Sequence, residues 1–272
     1  MHSHHYQAPP FVLTFLGTGT SQGVPMIGCY CPVCTSPDPR DRRTRTSVLI
    51  RTPHQQILID TTPDLRFQAL RENLAHVDAV LLTHAHTDHI MGFDDLRRFS
   101  ELQQCAIPLY ASVETMEKMK QIFGFVFEFS NSQKPPKGYL RIIPHLIEKT
   151  WSLREIEITP IPLVHGAMKT LGFVFSSKKE KLLAYYTDCQ ELSAEAIAAA
   201  QGARILVLDA LRDQFHPTHL NFDQAIQAAH QIKAERTFFI HCSHEVSHAP
   251  REAQLPEGIL IAYDGLKVIL TH

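Results

Sequence analysis

Short apolar runs recur along the chain, each ended by polar residues or glycine, and this pattern is typical of buried β-strands. In the first half of the chain the runs cover residues 11–16, 47–51, 56–60, 77–82 and 107–110. In the second half they cover residues 156–161, 171–175, 182–186, 205–208 and 237–240. The stretches between them alternate with helical patterns, so the sequence predicts an α/β fold.

Apolar residues spaced three and four apart predict the helices of this fold. These helices cover residues 63–73, 92–104, 113–123, 194–201 and 222–234. Asp264-Gly265 predicts a hairpin near the end of the chain. Residues 130–138, polar and containing Pro135-Pro136, are predicted to join the two halves of an internally duplicated sandwich. The whole pattern favours mixed sheets with helices on their outer faces.

Composition narrows the class of protein. The chain has 272 residues, 44% of them hydrophobic and 20% charged, which fits one globular domain over residues 11–272. Residues 1–10, which include three histidines, are expected to lie outside the fold as a frayed or non-native terminus. A net charge of −2 gives no general attraction to nucleic acid or to an anionic membrane, so we expect a small-molecule partner. The sequence leaves open whether the chain forms a homodimer.

Two further patterns concern the location of the protein and the chemistry of its cysteines. No apolar run reaches about 18 residues and no charged leader precedes one, which predicts a cytoplasmic protein without a membrane span. Three of the six cysteines fall within six residues, at 29, 31 and 34, where metal ligation is favoured over a disulfide.

A dense group of candidate ligands follows the predicted strand at 77–82. His84-Ala85-His86-Thr87-Asp88-His89 places three imidazoles and a carboxylate within six residues. Three further candidates, His165, Asp188 and His241, each stand at the end of a predicted strand. Imidazole and carboxylate together suit zinc, manganese or iron. A solvated histidine-rich loop is the simpler alternative.

This ligand order resembles the signature of the metallo-β-lactamase superfamily, and the match spans residue 11 to about 245. The resemblance implies an αββα sandwich with two divalent metal ions, zinc, manganese or iron, in the active site. The first would be held by His84, His86 and His165, the second by Asp88, His89 and His241, and Asp188 would bridge them. Asp60 would brace the histidine loop from behind. Such a pair generates hydroxide from a shared water near neutral pH, and Asp88 would orient it.

His219 matches a histidine that the phosphodiesterase branch of this superfamily uses without binding metal. The resemblance implies that it reaches the scissile phosphate and protonates the leaving oxygen. His216 is the less favoured candidate for this role. A structural histidine at the start of the helix near Asn221 is the alternative.

The cysteine loop resembles that of the PhnP-like cyclic phosphate phosphodiesterases, which carry a structural zinc. Cys29, Cys31 and Cys34 would hold this ion with His244 as fourth ligand, and His248 is a weaker alternative. Residues 59–66 and 92–97 also resemble sequence motifs of that branch. The other cysteines, Cys105, Cys189 and Cys242, are expected to be small buried thiols.

We therefore expect a metal-dependent phosphodiesterase that acts on a small phosphodiester, including a cyclic one. Three alternatives stay open. The first is a metallo-hydrolase of a thioester or lactone, for which His219 would be dispensable. The second is an RNase Z-like enzyme, although the chain lacks the long substrate-clamping arm. The third is a non-hydrolytic PqqB-like biosynthetic or carrier protein, against which the complete ligand set counts.

Overall fold

The computed structural model describes residues 11–128 and 138–270, which form two seven-stranded sheets. The first sheet contains β1 (Val12–Gly17), β2 (Ser47–Arg51), β3 (Gln56–Ile59), β4 (Ala79–Leu81), β5 (Ile107–Ala111), β6 (Ile142–Leu146) and β14 (Lys267–Ile269). Their order is β14-β1-β2-β3-β4-β5-β6. The pairs from β14 to β3 are antiparallel and those from β3 to β6 are parallel, so the sheet is mixed.

The second sheet repeats this plan. It contains β7 (Trp151–Leu153), β8 (Ile156–His165), β9 (Met168–Ser177), β10 (Glu180–Tyr186), β11 (Ile205–Asp209), β12 (Arg236–Ile240) and β13 (Ile259–Ile261), in the order β13-β12-β11-β10-β9-β8-β7. Its pairs from β13 to β10 are parallel and those from β10 to β7 are antiparallel. The sequence prediction of mixed sheets is confirmed.

Helices cover the outer faces of both sheets. On the first half they are α1 (Leu65–Arg71), α2 (Thr87–Ile90), α3 (Leu96–Gln103), α4 (Val113–Ile122) and α5 (Gly124–Phe127), with 3-10 turns at Pro39–Asp41 and Phe93–Asp95. On the second half they are α6 (Ala194–Ala200), α7 (Phe222–Ile232) and α8 (His248–Glu252). Among the described residues, no helix combines the length and apolar character needed to cross a bilayer.

Three buried clusters hold these layers together. The central one lies between the sheets and joins Phe15 to Phe238, with ring centroids 5.6 Å apart. The second packs the first sheet against α1, α3 and α4, and the third packs the second sheet against α6 and α7. Burial of these apolar faces on both sides of each sheet is the main stabilising term and yields four layers, αββα.

Some sequence predictions need correction. Asp264-Gly265 is a turn between strands of different sheets, because β13 pairs with β12 while β14 pairs with β1, so the predicted hairpin is wrong. Cys105 is exposed, whereas Cys189 and Cys242 are buried as expected. Strand β8 continues to His165, which is its last residue. The predicted terminus at 1–10 lies outside the described residues, and so does almost all of the predicted junction at 130–138.

Candidate metal centre

Strand ends from both sheets bring the predicted ligands together at one edge of the sandwich. His84, His86, His165 and Asp188 form one group, and Asp88, His89, Asp188 and His241 form another. Within each group, every pair of ligand atoms lies within 4.8 Å. Asp188 belongs to both groups, the place that the resemblance implied for a shared ligand.

Hydrogen bonds behind the ligands fix the first histidines. Asp60 accepts bonds from the Thr83 amide at 2.8 Å, the Thr83 hydroxyl at 2.8 Å and His89 Nδ1 at 2.7 Å. Because the Thr83 hydroxyl donates to Asp60, it accepts from His84 Nδ1 at 3.0 Å. Both imidazoles therefore carry a proton on Nδ1, which turns Nε2 toward the centre of the site.

His165, on the second sheet, also donates a hydrogen bond from Nδ1. Its Nδ1 donates to the Thr218 carbonyl at 2.8 Å, which directs Nε2 toward the carboxylate of Asp188 at 4.0 Å. Burial lowers the pKa of His84 and of His165, so both are neutral near pH 7, the form that binds metal.

Two observations show that these residues fit a metal. Nε2 of His89 and Nε2 of His241 are buried and have no hydrogen-bond partner among the described residues, which is costly unless something binds them. Nε2 of His84 faces Nδ1 of His86 at 2.9 Å. The two imidazoles therefore present ring nitrogens to one point, as two ligands of a single ion would.

The carboxylate of Asp188 is surrounded by imidazoles. Its Oδ2 lies 3.3 Å from His89 Nε2 and 3.4 Å from His241 Nε2. Burial opposes its ionisation, but His241 and His89 hold the pKa of Asp188 well below its usual range. An ionised carboxylate in the middle of an imidazole cluster can bridge two cations.

Backbone conformation also marks the site. Asp60, Asp188 and His241 have φ values of 63°, 52° and 62°, in the left-handed region that residues with side chains rarely adopt. Each stands just past the end of a strand, so the turn aims its side chain into the gap between the sheets. Such strain costs on the order of 1 kcal/mol or more per residue and is concentrated at functional sites.

His219 lies beside the ligands without belonging to either four-membered group. Its ring centroid is 4.6 Å from that of His165 and 4.6 Å from that of His241. Asn221 caps helix α7 with a capping box, which fixes the turn that carries His219.

The sequence analysis missed Asp209, the last residue of β11. Its Oδ2 accepts hydrogen bonds from His219 Nδ1 at 2.8 Å and from the Cys189 amide at 3.0 Å. Burial alone would lower the pKa of His219, but the carboxylate of Asp209 outweighs it and raises this pKa to about 9. The signal that found Asp188 and His241, a polar residue ending an apolar run, was present at Asp209 too.

A second cluster forms where the sequence predicted it. Cys29, Cys31, Cys34 and His244 place their ligand atoms within 4.8 Å of one another, with His244 Nδ1 3.3 Å from Cys29 Sγ and 3.5 Å from Cys31 Sγ. The amide of Cys34 donates to Cys31 Sγ at 3.4 Å and, as the largest of several effects, lowers the pKa of Cys31 to about 6. This donor set suits tetrahedral zinc.

The weaker candidate His248 is not part of this cluster. It is buried on α8, where its Nε2 faces Glu252 at 3.5 Å and its ring packs edge-on against Tyr263. The predicted preference for His244 over His248 therefore agrees with the geometry.

The sequence of the chain matches the family model described as "Beta-lactamase superfamily domain" over residues 55–242, more than half of its length. A solved diphosphatase from the PhnP family is 39% identical, with a TM-score of 0.86 over 96% of this chain and 97% of that one. The chain belongs to the metallo-β-lactamase superfamily, in its PhnP-like branch. It therefore has the fold of a metallo-hydrolase, and that fold implies divalent metal ions.

Two further relatives are more distant in length or sequence. Zn²⁺-bound PqqB from Methylobacterium extorquens has a TM-score of 0.73 at 20% identity over 94% of this chain and 99% of that one, which shows the shared fold. An octanoyltransferase of Porphyromonas gingivalis is 36% identical over 261 residues. These are 94% of this chain but 51% of that protein, so the chain spans about half the length of this curated relative.

Proposed function

We propose that this protein is a metal-dependent phosphodiesterase that hydrolyses a small phosphodiester, including a cyclic one. The observation that carries the proposal is the pair His219–Asp209, an imidazole held by a buried carboxylate beside the ligand groups. A hydrolase that expels an alkoxide needs such an acid, because a poor leaving group must be protonated as its bond to phosphorus breaks.

The ligand roles in this proposal follow the two groups of side chains. His84, His86 and His165 would hold one divalent ion, Asp88, His89 and His241 would hold the other, and Asp188 would contact both. Zinc or manganese, or iron, fits these ligands. When bound, such ions polarise the phosphoryl oxygens and activate water for in-line attack.

The chain's own residues then position the reactants. The side chain of Asp88 is 10% exposed whereas that of Asp188 is 2% exposed, so Asp88 is the carboxylate that a water can reach from the mouth of the site. We propose that Asp88 accepts a hydrogen bond from the attacking water and orients it. Asp60 and Thr83 keep the histidine loop rigid during this step.

His219 acts on the leaving group. Its Nδ1 proton is committed to Asp209, so the proton it transfers is the one on Nε2. Asp209 stabilises the protonated ring and prevents it from rotating, much as a buried carboxylate does in other acid–base pairs. The proton passes from Nε2 to the oxygen that departs.

The cysteine cluster has a separate structural role in this proposal. Cys29, Cys31, Cys34 and His244 would bind one zinc ion, which would fasten an early loop to the segment after His241. Because these segments lie far apart in the sequence, binding of the metal would add to the free energy of folding.

Thioester hydrolysis is a second candidate, since acyl chemistry is what the name of the relative called an octanoyltransferase indicates, although the chain spans only 51% of that protein. The site could activate water against an acyl group as well as a phosphoryl group. A thiolate leaves without prior protonation more readily than an alkoxide does. The two candidates therefore differ in how strongly they need His219.

The test measures turnover of two phosphodiesters by wild-type and His219→Ala protein. We expect metal content to match that of wild type, while turnover falls about 10²-fold or more on a diester with a poor, alkoxide leaving group. The loss with a p-nitrophenolate leaving group should be smaller. His230→Ala, which removes an exposed imidazole from α7, is the matched control. Equal losses on both diesters would refute the acid role. Thioester hydrolysis that His219→Ala protein retains, with no cleavage of either diester by wild type, would favour the second candidate.

A further inference from the structure

Arg43 has a buried side chain that contacts the segment carrying His244. Its guanidinium is 0% exposed. Nη1 donates to the Ser243 carbonyl at 3.0 Å and Nη2 donates to the Val246 carbonyl at 2.8 Å. These two carbonyls bracket His244 in the sequence, so the guanidinium closes the turn from which the imidazole projects.

The backbone of the same residue holds the other side of the cysteine cluster. The amide and carbonyl of Arg43 pair with the carbonyl and amide of Val24, both at 2.8 Å. Val24 packs with Val33 and Cys34 in the small apolar cluster under the cysteine loop. One residue therefore contacts both ligand-bearing segments, which are far apart in the sequence.

We infer that Arg43 is the positioning residue of this region and holds residues 243–246 against the cysteine loop whether or not zinc is bound. Only the predicted effect of Arg43 on zinc release rests on the proposed zinc site. It goes beyond that proposal because it assigns the order of the segment, and of the adjacent His241, to a guanidinium rather than to the metal.

The chemistry of arginine suits this task. A guanidinium keeps its charge and presents a planar fork of donors, so it can reach two separate carbonyls at once, whereas a lysine ammonium offers its donors at one point. Asp41 compensates the buried charge at 3.3 Å from Nη2. Asp41 Oδ1 also accepts the His248 amide at 2.8 Å, which extends the clamp to the start of α8.

Close packing at Gly19 supports the same view. A Cβ on Gly19 would lie 2.8 Å from both Cβ and O of Arg43, closer than real contacts allow. Gly19 also bridges to Cys242, the residue after His241. The glycine thus lets the Arg43 backbone approach the strand end that carries the catalytic ligand.

Hydrogen exchange on a zinc-free variant tests the inference directly. The Val246 amide bonds to the Ser243 carbonyl, and the His248 amide bonds to Asp41, so both report on the clamp. In Cys31→Ser protein we expect both amides to stay protected. Adding Arg43→Lys should speed their exchange about tenfold or more, while amides of the core strand β3 keep wild-type protection.

A second measurement follows zinc itself. Arg43→Lys alone should release zinc to a chromophoric chelator about tenfold or more faster than wild type. Mutating a residue that holds metal ligands in place typically weakens metal affinity by about 10–100-fold. Arg42→Lys, an exposed neighbour given the same substitution, should release zinc at the wild-type rate.

Two results would overturn the inference. One is a loss of protection in Cys31→Ser as large as in the double variant, which would assign the order of the segment to zinc. The other is wild-type exchange in Arg43→Lys. If wild-type protein bound no zinc at the cysteines, the zinc proposal would fail, yet comparing exchange with and without the Arg43→Lys substitution would still decide the role of Arg43.

Discussion

Nδ1 of His219 donates a hydrogen bond to Oδ2 of Asp209 over 2.8 Å, and both residues are buried at the edge where the two sheets meet. This bond fixes the tautomer of the imidazole and keeps its Nε2 as the proton donor. Because Asp209 also accepts the Cys189 amide, its carboxylate cannot rotate away without breaking a second bond. The pair is therefore rigid before any substrate binds.

Asp209→Asn should impair turnover without unfolding the protein. With its amide oxygen in the place of Oδ2, asparagine can still accept from both Cys189 and His219, but it lacks the negative charge that stabilises the protonated imidazole. We expect turnover on a diester with an alkoxide leaving group to fall by about 10²-fold, with unchanged metal content. Steady-state kinetics and metal analysis check this, and wild-type turnover would show that the charge of Asp209 does not assist His219 as an acid.

Asp188→Asn should lower the metal bound per chain and abolish hydrolysis. Asparagine tolerates the left-handed backbone at this position, so the fold should persist, but it lacks the charge that two cations share. Elemental analysis after dialysis measures the loss. Asp223→Asn, at an exposed position on α7, is the control and should bind metal as wild type does. Full activity of Asp188→Asn would contradict a shared ligand.

Cys31→Ser should release about one zinc equivalent and lower the melting temperature. Serine is a poor ligand for zinc, and metal binding contributes directly to folding free energy. Thermal melting followed by circular dichroism, together with zinc analysis, checks both effects. Cys105→Ser, at an exposed cysteine outside the cluster, should change neither. An unchanged zinc count in Cys31→Ser would show that the cysteine cluster does not bind zinc.

Gly92→Ala should destabilise the fold by about 1–3 kcal/mol. The Gly92 amide bonds to the Thr61 carbonyl, and a Cβ would collide with the carbonyl of Thr62, which lies just after the brace residue Asp60. Urea unfolding measures the change. Gly124→Ala is the matched control, because its added Cβ would meet open space and alanine favours a helix. Equal stabilities of the two variants would show that the backbone near Thr62 can shift to accommodate the added Cβ.

Local patterns predicted much of this molecule. The run at 47–51 and the helical pattern at 113–123 correspond to β2 and α4 within one residue at each end. The strand-end rule placed His165, Asp188 and His241 correctly, because strands packed in a sandwich deliver their ends to a common edge. Such features depend on nearby residues and on the period of a strand or helix.

Features that depend on distant partners were not predicted. The turn at Asp264-Gly265 has the chemistry of a hairpin, yet the Asp264 side chain accepts bonds from Thr18 and Thr44, and the chain crosses to the other sheet. Asp209 gains its role from His219, ten residues away along the chain and adjacent only after folding. Nothing near Arg43 in the sequence indicates that its side chain contacts Ser243 and Val246.

The most direct test of the central claim is hydrolysis of a phosphodiester by protein stripped of metal and then reloaded with zinc or manganese. Activity on bis-p-nitrophenyl phosphate and on a 2′,3′-cyclic nucleotide should vanish on stripping and return with the metal in wild type, but not in Asp188→Asn. Hydrolysis that persists in metal-free protein would contradict the proposal, and so would reloaded protein that cleaves a thioester but neither phosphodiester.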